Sequence, residues 1–97
     1  MEPNEAIRRL KQHEAELKRI GVEHLCLFGS TTRGEAREDS DVDLFFDHPE
    51  GSLGLFELME IKEAAAWILG HKTDIMTRRS LHPVLREWIE ASALQVF

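Results

Sequence analysis

The chain reads as one α/β domain built on a small sheet, in two or three layers. Three observations predict it. Its 97 residues fill a single domain. Short apolar runs rich in strand formers alternate with segments of helical length. A content of 42% hydrophobic and 31% charged residues is a globular balance, and 6 glycines with 3 prolines are too few for a collagenous chain. A domain of this size buries roughly 60–65% of its unfolded surface, enough for one modest core. A large substrate would have to be held in part by a partner.

Residues 4–20 are predicted as a helix with Asn4 as N-cap, with Ile7, Leu10, Leu17 and Ile20 on one face and Gly21 at the left-handed C-cap position. His24-Leu25-Cys26-Leu27-Phe28 reads as a buried strand bounded by Gly29-Ser30. Thr31 to Ala36 reads as a short helix launched by that turn, and Arg37 to Ser40 as a polar loop. Val42 to Phe46 is the second strand, closed by the turn signal Asp47-His48-Pro49-Glu50-Gly51. Leu53 to Leu69 has helical length, with Ser52 as candidate N-cap, Gly70 as candidate C-cap, and an apolar face of Leu55, Phe56, Leu58, Met59, Ala66 and Leu69. Thr73 to Thr77 is the third strand. Pro83 opens a last helix in which Leu85, Trp88 and Ile89 follow i, i+3, i+4 spacing, and Leu94 to Phe97 forms a small terminal strand.

Eighteen acidic residues against 12 basic ones leave a formal charge of −6. That balance repels phosphate backbones, so direct nucleic-acid binding is not expected. It suits a basic partner, or divalent cations where carboxylates converge. The single cysteine, Cys26, fits a reducing compartment. The start Met-Glu-Pro-Asn-Glu carries no signal-peptide pattern, and no run approaches the ~18 apolar residues of a membrane span. The expectation is a soluble cytoplasmic protein without membrane association.

Chemistry concentrates between Phe28 and Leu44. Alternation along a strand puts Asp41 and Asp43 on one face, with Val42 and Leu44 on the other. Two close carboxylates repel unless a cation sits between them, and Mg²⁺ favours one or two carboxylates plus phosphate oxygens. A lone Asp-x-Asp usually faces water at a strand end. Gly29-Ser30 follows a strand and precedes a helical turn, where glycine permits close backbone approach and amides point at an anion. Gly-Ser pairs also populate ordinary turns. Together, a phosphate cradle and a paired-carboxylate strand on adjacent elements can face one cleft. Asp74 is the one charge in the Thr73–Thr77 strand, either a third convergent carboxylate or a solvated position at a sheet edge.

The pattern Gly29-Ser30-x-x-Arg33-Gly34-x-Ala36-x-x-x-Ser40-Asp41-x-Asp43-Leu44 resembles the signature of nucleotidyltransferases related to DNA polymerase β. It is most similar to their minimal members, the MNT proteins encoded beside HEPN-type RNase toxins. The resemblance spans residues 1–97 as a single nucleotidyltransferase domain and implies a minimal palm, a small mixed sheet with helices mainly on one face. It implies that Gly29 and Ser30 bind nucleotide phosphates and that Asp41 and Asp43 hold Mg²⁺, two ions in the usual arrangement. Asp74 becomes the third carboxylate, a metal ligand or the base that deprotonates the acceptor. Arg33 contacts phosphate or pairs with a carboxylate, and Gly34 packs the short helix on the sheet.

The activity implied is transfer of AMP from ATP to a tyrosine of a HEPN toxin, which silences it. The alternative is a catalytically silent antitoxin that blocks its toxin by binding alone. Retention of all three carboxylates favours activity. Transfer to a small molecule would call for an added substrate domain that this length does not hold. Assembly, with itself or with the toxin, is left open.

The remaining features read as structural. His13, His24, His48, His71 and His82 show no ligand spacing and are expected at surface or satisfied positions. Cys26 is expected as a buried inert thiol, and Arg78-Arg79 as a solvated loop pair. Trp67 and Trp88 are expected in the core. The Leu53–Leu69 helix is more apolar than one side of a small sheet can absorb, which suggests a surface for a second copy or the toxin.

Overall fold

A computed structural model describes residues 1–32 and 40–97. The elements in chain order are α1 (Pro3–Gln12), α2 (Glu14–Arg19), β1 (His24–Phe28), β2 (Val42–Asp47), α3 (Leu55–Leu69), β3 (Thr73–Thr77), α4 (Pro83–Ser92) and β4 (Leu94–Gln95). Short 3₁₀ turns at Gly29–Thr31 and Arg78–Ser80 follow β1 and β3.

The sheet runs β3-β2-β1-β4. β1 is antiparallel to β2 and β4, while β2 and β3 are parallel, with α3 as their crossover. The mixed sheet is therefore as expected. Val42, Leu44 and Phe46 of β2, with Leu25, Leu27 and Ile75, pack against Ala6, Leu10 and Leu17 and against Ile61, Ala65 and Leu69 of α3. On the opposite face Cys26 and Phe45 meet Leu81, Ile89 and Ala93. Helices α1 to α3 thus cover one face, and α4 covers part of the other. Among the described residues no helix is long and apolar enough to cross a membrane.

Several expectations are corrected. The first helix is broken at His13, whose backbone leaves the helical region (φ −110°, ψ 19°) and whose Nδ1 donates to the Arg9 carbonyl at 3.0 Å. Glu2 is its N-cap and Pro3 its first residue, where a missing N–H costs nothing; Asn4 lies inside. Gly54 caps α3 rather than Ser52, with Glu57 accepting from the Gly54 N–H at 3.2 Å. Ser52 instead donates to the Pro49 carbonyl within the preceding turn. Gly70 ends α3 in the left-handed conformation, as expected (φ 60°).

The buried stripe of α3 is Ile61, Ala65, Ile68 and Leu69, whereas Leu55, Phe56 and Met59 are exposed. Trp67 and Trp88 are not core residues; they are 77% and 68% exposed. Trp67 lies across the helix from the buried stripe. Both outcomes agree with the apolar excess read from the sequence.

Candidate active site

The Gly-Ser turn is built against the carboxylate strand. Gly29 takes φ +82°, a conformation that side-chain-bearing residues rarely adopt. A Cβ placed there would lie 3.1 Å from Cγ and 3.2 Å from Cβ of Asp43, and closer still to Oδ2. Backbone and carboxylate therefore approach as only glycine allows. Thr32 closes the turn, its hydroxyl donating to the Gly29 carbonyl at 2.7 Å, and Thr31 is buried beneath. Ser30 is half-buried.

The strand register supplies the rest. Phe28 of β1, Asp43 of β2 and Asp74 of β3 are side by side in one row across the sheet. Asp43 is half-buried and Asp74 is exposed on the edge strand β3. Asp74 therefore lies at a sheet edge and in register with Asp43. Asp41 sits just before β2, its Oδ1 3.7 Å from the Lys72 ammonium.

The segment before β3 pins this end of β2. His71 Nε2 donates to the Ser40 carbonyl at 2.6 Å, and the Val42 N–H donates to the Lys72 carbonyl at 3.0 Å. His71 and Lys72 are thus positioning residues that the sequence reading missed. The signal available was their place directly before the strand that carries Asp74. Of the predicted phosphate contacts, Arg33, with Gly34, lies outside the described residues.

The donor set fits Mg²⁺. Carboxylate oxygens from Asp43 and Asp74 share one face, and a hard cation that keeps phosphate oxygens and waters needs only one or two of them. Among the described residues no group of three or more His, Cys, Asp or Glu side chains is placed to hold a metal ion by itself. The partners for a cation at this site would be completed by substrate.

Arg78 corrects the expectation of a solvated pair. Its guanidinium donates to both oxygens of Asp47 at 2.7 and 3.0 Å, lies 3.3 Å from Glu90, and stacks 4.8 Å above the Phe45 ring. These bonds, chiefly those to Asp47, push its pKa further up. Arg78 clamps the end of the sheet opposite the carboxylate row to α4. Arg79 is exposed, as expected. Burial raises the Cys26 thiol above its ordinary value, in keeping with an inert group.

The turn thus closes onto one carboxylate, with a second in register beside it. Residues 10–94 match the nucleotidyltransferase domain, and the chain belongs to that family. It is 41% identical over 73 residues to the protein adenylyltransferase MntA of Thermococcus cleftensis, covering 74% of this chain and 73% of that protein. It is 37% identical over 90 residues to a Methanocaldococcus jannaschii protein whose name assigns it to the protein adenylyltransferases, covering 90% of each. A solved structure named as a minimal nucleotidyltransferase superposes with a TM-score of 0.74 at 35% identity, covering 97% of this chain and 95% of that one. A toxin–antitoxin structure with AMP-PNP shares the fold, with a TM-score of 0.70 at 22% identity over 90% of this chain and 72% of that one.

Proposed function

We propose that this nucleotidyltransferase is a Mg²⁺-dependent protein adenylyltransferase antitoxin, which moves AMP from ATP to a tyrosine of a HEPN-type toxin. The observation that carries the reading is the contact of the Gly29 backbone with the Asp43 carboxylate, one strand from Asp74. That close approach supports reading the Gly29-Ser30 turn and the two carboxylates as parts of one site. The relatives supply the substrate class. Besides those named for protein adenylyltransfer, one structure that shares the fold, with a TM-score of 0.65 at 18% identity over 94% of this chain and 71% of that one, is an MNT antitoxin in complex with a tri-AMPylated Shewanella oneidensis HEPN toxin.

In this reading Gly29 and Ser30 hold the β- and γ-phosphates, so the α-phosphorus lies over the row Phe28–Asp43–Asp74. Asp74, exposed at the edge, accepts the proton of the incoming hydroxyl. The acceptor oxygen bonds to the α-phosphorus as the bond to the bridging oxygen breaks and pyrophosphate leaves. Asp41, Asp43 and Asp74 are the residues that would hold Mg²⁺, which neutralises charge on the triphosphate and the leaving pyrophosphate. Lys72 gives Asp41 only a weak, exposed counter-charge, and His71 fixes the backbone just before it. The net charge of −6 agrees with a basic, RNA-handling partner.

The test is incubation with α-labelled ATP, Mg²⁺ and the HEPN-type partner, for wild type and for Asp41→Asn with Asp43→Asn. Wild type should label the partner. The double variant should transfer at least ~10³-fold more slowly, corresponding to several kcal/mol of lost charge stabilisation. Equal transfer by the variant would remove the carboxylates from the mechanism. Tight complex formation without label would make this an antitoxin that acts by binding.

A further inference from the structure

Resting on the reading above, we propose that Met76 is a specificity-determining residue that receives the aromatic ring of a phenolic acceptor. The sheet face that carries Asp43 and Asp74 is ordered in rows. Asp74, Asp43 and Phe28 form the first, and Met76, Phe45 and Cys26 form the second. Phe45, Cys26 and Leu81 are buried together, with Ile89, Ala93 and Met76 packed against them, and Met76, on the edge strand, keeps part of its surface accessible. An apolar, polarizable side chain with remaining accessible surface therefore lies directly behind the outermost carboxylate.

The chemistry assigns that surface to the acceptor. In-line displacement requires the nucleophile to approach opposite the leaving pyrophosphate. The phosphate turn follows β1, on one side of β2, and Asp74 and Met76 lie on β3, on the other. Asp74 and Met76 are two residues apart and so share a face, separated along the strand by ~6.6 Å. That is roughly the length of a phenol side chain. A tyrosine whose hydroxyl meets Asp74 would lay its ring along β3 against the Met76 thioether, a favourable sulfur–aromatic contact. A serine or threonine hydroxyl at Asp74 gains nothing from Met76.

The test compares wild type, Met76→Ala and Met76→Leu with α-labelled ATP and two partners, the HEPN-type toxin with its acceptor tyrosine and the same toxin with that tyrosine replaced by serine. ATP affinity is measured separately by calorimetry. Met76→Ala should raise the acceptor KM about tenfold, the usual scale for loss of apolar contact in a specificity pocket, and leave ATP affinity unchanged. Met76→Leu should recover most of that loss, and the preference for tyrosine over serine should fall in Met76→Ala. An unchanged acceptor KM would overturn the proposal. So would a parallel loss of ATP affinity, which would place the adenine ring there instead, or wild-type labelling of the serine toxin as well as the tyrosine one. No labelling by wild type at all would refute the adenylyltransferase reading itself, a result distinct from any effect confined to Met76.

Discussion

Replacing Gly29 by alanine should separate backbone strain from damage to the site, because Gly51 supplies the matching control. Both glycines have positive φ, +82° and +75°. At Gly51 an added Cβ meets nothing within 4 Å, whereas at Gly29 it runs into the Asp43 carboxylate. A side-chain-bearing residue in a left-handed conformation costs ~1–2 kcal/mol. Gly51→Ala should therefore lose roughly 4–16 °C of melting temperature, at about 4–8 °C per kcal/mol for a domain of this size. Its transfer rate, measured below the transition, should match wild type. Gly29→Ala carries the same strain and must also push Asp43 off the turn. Displacement of a catalytic group by about 1 Å costs on the order of 10²-fold in rate, so its transfer should fall at least that far. Calorimetric melting and labelled AMP transfer read the two effects separately. Gly29→Ala with activity within a few-fold of wild type would refute the claim that this contact organises the site. An equal loss in Gly51→Ala would do the same, by making strain alone the cause.

Three further outcomes follow from the described contacts. Hydrogen bonds from Arg8, then Arg9, hold the Glu5 carboxyl down from its ordinary 4.5 to about 2. Its folded value is depressed, so its stabilisation is complete above 4.5 and is lost as pH falls towards 2. Melting temperatures of wild type and Glu5→Gln should differ at pH 6 and converge near pH 2, and a constant gap would contradict the pairing. Cys26, buried and with its thiol pushed up by that burial, should react with a thiol reagent at pH 8 only at the rate of unfolding; rapid native reaction would mean an open thiol. The exposed Trp67 and Trp88 should both be quenched by acrylamide in the folded protein. Replacing either by serine should change stability by less than about 0.5 kcal/mol, as surface substitutions do.

The strands were legible because their signal is local. β1 and β3 fall on the residues expected, since each is a five-residue run of strand formers set off by glycine or polar turns. Alternation along β2 likewise fixes which side of the sheet Asp43 takes, whereas Asp41 lies just before the strand. The registry of β2 with β3 is not local, and it is what turns Asp74 from an edge carboxylate into a neighbour of Asp43. The break at His13 was not legible, because it depends on an imidazole turning back to the Arg9 carbonyl. Nor was the inner stripe of α3. Apolar residues occur on all sides of that helix, so periodicity alone selects no face, and the small, well-filled stripe of Ile61, Ala65, Ile68 and Leu69 displaced the larger side chains outward.

Arg78 shows most clearly how placement outweighs residue type. Next to Arg79 in sequence it has the same composition cue, yet β3 delivers it beside Asp47 at the end of the sheet, where carboxylates on β2 and α4 and the ring of Phe45 receive it. The same sheet face therefore carries acidic groups at both ends with opposite consequences. At the Arg78 end a guanidinium satisfies Asp47 and locks α4 over Phe45 and Cys26. At the other end Asp74 is exposed, and the Lys72 ammonium stands 3.7 Å from Asp41 on an exposed side chain. An exposed pair of that kind is weak and readily exchanged for a stronger cation. Helix α4 thus closes one end of the face with an ion pair between Arg78 and Glu90, while Asp74 at the other end stays exposed.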